Sequence, residues 1–195
     1  MNYKLIKTAI SRELASYLTD YLLMKEANCL TLGKPEYSLY NKERGVFGDG
    51  QVDGAFAIYG DPAMENFLIK FKKNLENIFD MKLVPTYTYA RVYRTGNILH
   101  RHHDRPSCKL STTLNLGGDP YPIYLEDNKE IEILLNPGDM LAYRGVDLFH
   151  WRNKFKGAMC AQAFLHYSDD EKLLNDRRAH LGLPGVIKEN DRNKV

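Results

Sequence analysis

His100-Arg101-His102-His103-Asp104 is the stretch around which the chain is organised. Side chains alternate along an extended backbone, so on a strand His102 and Asp104 share one face. Two such groups hold one side of a metal ion and need a third. His150 offers it, within the later apolar run Asp147-Leu148-Phe149-His150-Trp151. Two neutral imidazoles and one carboxylate on one face of an octahedron leave three positions open, the arrangement expected of a non-haem Fe(II) oxygenase. His100 also sits on the ligand face and His103 on the other, so a shifted register would substitute one of them.

The sequence on both sides of this stretch reads as strands. Tyr87-Thr88-Tyr89-Ala90-Arg91-Val92-Tyr93 is rich in aromatic and branched residues, and Thr95-Gly96-Asn97 is a turn before Ile98 to His102. Beyond the motif, Leu110 to Leu116 alternates and ends at Gly117-Gly118-Asp119-Pro120. Pro122 to Leu125 and Ile131 to Leu135 are two more strands, with Asp127-Asn128 as the turn between them. Asn136-Pro137-Gly138-Asp139 is a strong turn, followed by Met140 to Tyr143, the His150 strand, and Met159 to Tyr167. About eight short strands with turn signals imply a β-sandwich or jelly roll.

Helical periodicity is confined to the first part of the chain. Leu14, Tyr17, Leu18, Tyr21 and Leu22 form one apolar stripe of a helix from about Ser11, its N-cap, to about Ala27. Asp61-Pro62 starts a second helix, with Met64, Phe67, Leu68, Phe71, Leu75 and Ile78 as its stripe. Between them, residues 31–60 are rich in Gly and Tyr and read as loop and short strand, either a cover over a pocket or a plain connection. Helices first and strands after give an α+β layout, with helices bracing one sheet. The chain divides into helical support (about 1–86), a strand-rich core (about 87–167) and a polar tail (about 168–195), all within one domain. Asp169 to Arg178 reads as a short helix at the start of that tail.

Composition sets the outer limits. With 44% hydrophobic and 27% charged residues the 195-residue chain has ordinary globular values. A net charge of +2 gives no argument for a nucleic-acid or membrane-surface partner. Cys29, Cys108 and Cys160 are odd in number and widely spaced, so neither a disulfide framework nor a zinc knuckle is indicated. No stretch approaches the ~20 apolar residues of a membrane span. Met1 to Lys7 lacks the apolar core of a signal peptide, and a cytoplasmic protein is expected.

A family likeness follows from the order of the motifs. Tyr93-Arg94-Thr95-Gly96, His102-x-Asp104, Leu114-Asn115-Leu116-Gly117, Pro137-Gly138-Asp139-Met140-Leu141, His150 and Gly157 occur in sequence. This resembles the 2-oxoglutarate and Fe(II)-dependent dioxygenases of the prolyl 4-hydroxylase type, over roughly residues 87–167. The resemblance implies a double-stranded β-helix, iron bound by His102, Asp104 and His150, and 2-oxoglutarate as cosubstrate. It further implies O2 as oxidant, succinate and CO2 as products, ascorbate as an accessory reductant, and a peptidyl or small-molecule substrate.

One element of the family pattern is missing. Relatives carry a basic residue about ten positions after the distal histidine, to pair with the far carboxylate of 2-oxoglutarate. Here that region reads Lys156-Gly157-Ala158-Met159-Cys160-Ala161-Gln162, and neither Met159 nor Cys160 can serve. Arg152 lies two residues after His150, on the same inward face, and a guanidinium fork matches a carboxylate. Lys109, ahead of Ser111 and Thr113, is the second candidate. Tyr93 matches a tyrosine that hydrogen-bonds the cosubstrate in relatives, and Thr113 falls where relatives place a polar partner.

The bland readings are a core or supporting role for His166, core packing for Trp151 and a solvated loop charge for Arg105. An acid at Asp104 argues against the halogenating branch of the family, and no arginine-rich C-terminal motif of nucleic-acid-demethylating relatives is present. The alternatives are a jelly-roll metal- or ligand-binding module without redox chemistry, and a cupin-like isomerase. The latter usually offers more clustered histidines and a glutamate.

Overall fold

A computed structural model describes residues 1–31 and 45–173. Two antiparallel sheets face each other, as the turn-rich strand pattern predicts. The larger runs in the order β1 (Tyr3–Ile6), β9 (Met140–Tyr143), β6 (Leu110–Gly118), β11 (Met159–Ser168), β4 (Val84–Arg94), β3 (Phe56–Tyr59) and β2 (Val46–Phe47). The smaller runs β5 (Leu99–His102), β10 (Phe149–Arg152), β7 (Ile123–Asp127) and β8 (Lys129–Ile133). The β7–β8 hairpin turns at Asn128, whose φ of 61° is the left-handed conformation that asparagine tolerates.

Two helices, α1 (Arg12–Thr31) and α2 (Pro62–Phe79), cover the outer face of the larger sheet. Period-two alternation then sorts the side chains of its central strands. Ala90 and Val92 on β4, Leu114 on β6, and Ala163 and Leu165 on β11 meet the helices in the main core. The intervening residues, Tyr87, Tyr89, Arg91 and Tyr93 on β4, Ser111, Thr113 and Asn115 on β6, and Gln162, Phe164 and His166 on β11, turn to the inside. Both faces are covered, so β6 is buried from Leu110 to Gly117. An inner face this polar, sealed from water, stays folded only because its groups bond one another.

Both helices start where the sequence places them. The Ser11 hydroxyl accepts from the Leu14 amide at 3.1 Å, and the Asp61 carboxylate accepts from the Ala63 amide at 3.0 Å. α2 buries Met64, Phe67, Leu68, Phe71 and Leu75 as expected, while Ile78 is only partly buried. α1 differs. It runs a turn past Ala27, and its buried face is Ala15, Leu18, Thr19, Leu22, Glu26 and Cys29, leaving Tyr17 68% exposed. Close approach to β6 turns the small residues inward: a Cβ on Gly117 would stand 2.8 Å from Thr19 Oγ1. The buried Glu26 carboxylate is ion-paired with Arg94.

The first 86 residues are more than helical support. β1 pairs with β9, and β3 and β2 extend the larger sheet beyond β4. Strands of four, four and two residues carry too little alternation to be separated from loop by pattern. After Ser168 a 3-10 turn occupies Glu171–Leu173; the rest of the expected helix and of the polar tail lies outside the described residues, as does 32–44 of the Gly/Tyr-rich segment. No helix among the described residues is long and apolar enough to cross a membrane.

Candidate metal centre and active site

β5 and β10 are neighbours in the smaller sheet, and their register places His102 opposite His150. β5 ends at His102, so Asp104 lies two residues past the strand and is held by a loop contact. Its amide donates to the Gly145 carbonyl at 2.9 Å, and the Gly145 amide donates to the Lys109 carbonyl at 3.1 Å. Asp104 Oδ1 then lies 3.7 Å from His102 Nε2 and 3.5 Å from His150 Nε2. One ligand atom from each residue falls within 4.8 Å of the others, a spacing one ion with bonds of about 2.1 Å can draw together.

Hydrogen bonds behind the ligands fix which atoms face the metal. His102 Nδ1 is 2.7 Å from the His100 carbonyl and His150 Nδ1 is 3.1 Å from the Leu148 carbonyl. A carbonyl only accepts, so both Nδ1 atoms carry a proton, and in the neutral rings that a metal requires both Nε2 atoms present a lone pair. His100 thus contributes its backbone, and its exposed ring stays outside the cluster. His103 stacks on Phe149 at 3.6 Å between ring centroids and is not one of the three clustered groups.

Asp104 is largely buried, and burial alone would raise its carboxyl. The hydrogen bond and charge of His150, the charge of His166 and the hydroxyl of Ser111 outweigh this and hold it well below the carboxylate range. Ser111 Oγ donates to Asp104 Oδ2 at 2.5 Å and accepts from His166 Nδ1 at 2.9 Å, so His166 is a supporting group. Burial, then the neighbouring His150, pushes His102 below the ordinary imidazole value, against the pull of the His100 carbonyl and Asp104. Metal binding needs neutral imidazoles and an ionised carboxylate. With Asp104 held ionised and His102 held towards its neutral form, neither group is expected to weaken Fe(II) binding between about pH 7 and 8. A competition titration across pH checks this; affinity already falling above pH 7 would mean that protonated histidine is favoured in the fold.

Gly145 is required here by close approach. A Cβ would overlap Asp104 Oδ2 and come within 2.8 Å of the Cys108 carbonyl oxygen, both held in place. Gly145→Ala is therefore expected to displace the carboxylate, costing about 1–3 kcal/mol of stability. Metal affinity should drop about tenfold or more, the range of an outer-shell defect. Thermal melting with and without metal measures both; unchanged affinity would show that Asp104 is not placed by this contact.

The three ligands open onto a cavity of about 440 Å³ between the sheets. Its wall is aromatic: Tyr59 and Tyr89 are 4.3 Å apart, Tyr89 and Phe164 5.6 Å, and Tyr87 and His166 4.6 Å, between ring centroids. Arg105 stands at this wall, 5.0 Å over the Tyr87 ring. Gln51 and Arg91 complete one side. Trp151 points the other way and stacks on Tyr124 on the outer face of the smaller sheet, half-buried instead of in the core.

Arg152, Thr113 and Tyr93 come together between the sheets, none of them lining that cavity, at 1%, 0% and 0% exposure. Arg152 Nη2 donates to Thr113 Oγ1 at 3.2 Å and to Gln162 Oε1 at 3.4 Å, Nη1 donates to the Tyr121 carbonyl, and Nε has no partner. No carboxylate among the described residues pairs with it. Its guanidinium lies 5.8 Å from the Tyr93 ring and 5.0 Å from the Tyr121 ring. A buried guanidinium without a counter-ion among the described residues, with one idle donor and on the same face of β10 as His150, fits an anion. Lys109 is removed as a candidate: it precedes β6 after the 3-10 turn Pro106–Cys108 and is ion-paired with Asp169. The pattern overlooked Gln162 because it is uncharged, and Arg91, Asp49 and Gln51 because a loop brings them together across the sheet.

No protein-family model matches the sequence, and no curated protein matches it. Solved structures do match. A prolyl 4-hydroxylase from Pseudomonas putida is 13% identical over 87% of this chain and 93% of its own, with a TM-score of 0.66. A viral collagen prolyl hydroxylase from Paramecium bursaria Chlorella virus-1, in complex with 2-oxoglutarate, is 12% identical over 86% and 96%, with a TM-score of 0.57. HygX from Streptomyces hygroscopicus, with nickel and 2-oxoglutarate bound, is 10% identical over 86% and 82%, with a TM-score of 0.62. The chain has the double-stranded β-helix fold of the 2-oxoglutarate/Fe(II) oxygenases, in its prolyl 4-hydroxylase-like form.

Proposed function

We propose that the protein is an Fe(II)- and 2-oxoglutarate-dependent dioxygenase that hydroxylates a peptidyl or small-molecule substrate. The observation that carries this is the convergence of His102 Nε2, His150 Nε2 and an Asp104 oxygen on one point of a half-open cavity. Such a set binds Fe(II) on one face and leaves adjacent positions for a bidentate keto acid and O2. Bound there, iron and 2-oxoglutarate supply the oxidising chemistry, releasing succinate and CO2 as a C–H bond becomes C–OH. The residues of this chain do the rest.

Ser111 and His166 hold the Asp104 carboxylate; the His100 and Leu148 carbonyls hold the two rings. Arg152 takes the far carboxylate of 2-oxoglutarate, with Thr113 and Tyr93 beside it. Arg91 is the other buried guanidinium, but Asp49 already neutralises it, so charge favours Arg152. The wall of Tyr59, Tyr87, Tyr89 and Phe164 receives the substrate and keeps water from the metal.

The test is anaerobic titration of the Fe(II)-loaded protein with 2-oxoglutarate, watching for the visible metal-to-ligand charge-transfer band. A saturable band is expected. Iron retained with no band would favour the metal-binding module without redox chemistry.

A further inference from the structure

Arg91 has no part in the reading above, yet it lines the cavity, is 1% exposed and is bonded on every nitrogen. Nε and Nη2 donate to the Tyr89 hydroxyl at 3.1 and 2.7 Å, and Nη1 donates to the Tyr93 hydroxyl at 2.9 Å. Nη2 also donates to Gln51 Oε1 at 2.8 Å and is ion-paired with the fully buried Asp49. The same Asp49 carboxylate accepts from the Gln51 and Val52 amides at 3.0 and 2.9 Å, which fixes the loop. A buried ion pair is a poor source of stability by itself. This one is spread over four acceptors, two of them phenols of the inner face.

Arginine has only donors. Each phenol oxygen is therefore an acceptor towards Arg91, and its own hydrogen must point elsewhere. Tyr89 borders the cavity, so its O–H is left for whatever the cavity holds. Tyr93 has its ring between Arg91 and Arg152, 5.3 and 5.8 Å from the two guanidinium carbons. Its O–H is left for an anion drawn to Arg152.

We propose that Arg91 is a positioning residue: it presets the Tyr93 and Tyr89 hydroxyls as donors to the cosubstrate and the substrate, and ties that setting to the 48–55 loop through Asp49. The inference rests on the dioxygenase reading. Lysine is a single point charge without the fork and cannot hold both phenols.

The test is a double-mutant cycle in 2-oxoglutarate affinity, read from the charge-transfer band of the Fe(II)-loaded, oxygen-free protein. Tyr93→Phe and Arg91→Lys are each expected to weaken binding about tenfold, the loss of one hydrogen bond to a charged group. Because Arg91 acts through Tyr93, the double variant should bind no more weakly than either single one. Wild-type affinity in Arg91→Lys, or losses that multiply in the double variant, would overturn the proposal. If Arg91→Lys fails to fold, Arg91→Met with Asp49→Asn takes its place in the cycle. That pair leaves no lone buried charge and keeps an acceptor for the loop amides. A wild-type protein with no band overturns the dioxygenase reading and this proposal with it; a band with a multiplying cycle overturns the role of Arg91 alone.

Discussion

His102→Ala is expected to abolish succinate formation. The substitution removes one of three ligands and leaves His150 and Asp104, which cannot hold Fe(II) against exchange. Defects behind the ligands cost 10–100-fold in affinity, so loss of a ligand should exceed about 100-fold. Iron content after dialysis and succinate release measure the two consequences separately. Turnover undiminished in this variant would sink the assignment. His100→Ala and His103→Ala make the informative controls, because one ring is exposed and the other stacks on Phe149 outside the cluster. Both should retain iron, which disposes of the shifted register.

Arg152→Met should separate cosubstrate binding from metal binding. Among the described residues the Arg152 guanidinium is the positive charge bonded to Thr113 and Gln162, and the carboxylate it would pair with would be left buried and alone. Breaking such a pair costs about 3 kcal/mol, roughly 100-fold in affinity. The KM for 2-oxoglutarate should rise by that factor, while iron content stays at the wild-type level. An unchanged titration would move the anchor to Arg91, the other buried cation of the inner face.

How far these placements are legible in the sequence depends on how local their causes are. His102 and His150 can be brought together on paper because two adjacent antiparallel strands need only one correct register, whereas Asp104 reaches the site from the loop past β5. Arg152 can be placed inward because β10 keeps its alternation for two residues past His150. Lys109 is misjudged because the 3-10 turn breaks the phase ahead of β6. Tyr17 is misjudged because a helical stripe gives a face to within about one residue, and Thr19 against Gly117 decides which edge of it is buried. The Asp49–Arg91 pair is illegible: nothing in the composition of a Gly-rich loop says that one of its acids will be sealed under a sheet.

The register of the two sheets also sets the order of assembly on a ribosome. Tyr3 at the start of the chain finds its partner in Tyr143, and His102 finds His150 later still. The β11 strand, which supplies Gln162 and His166, emerges after both. Contacts between residues this far apart form slowly and leave nascent edges open until they close. β1 therefore waits for its partner until β9 has been made, and the three residues proposed to hold iron cannot meet until His150 has emerged. A product cut short of His150 would lack the third of the three residues proposed to hold iron.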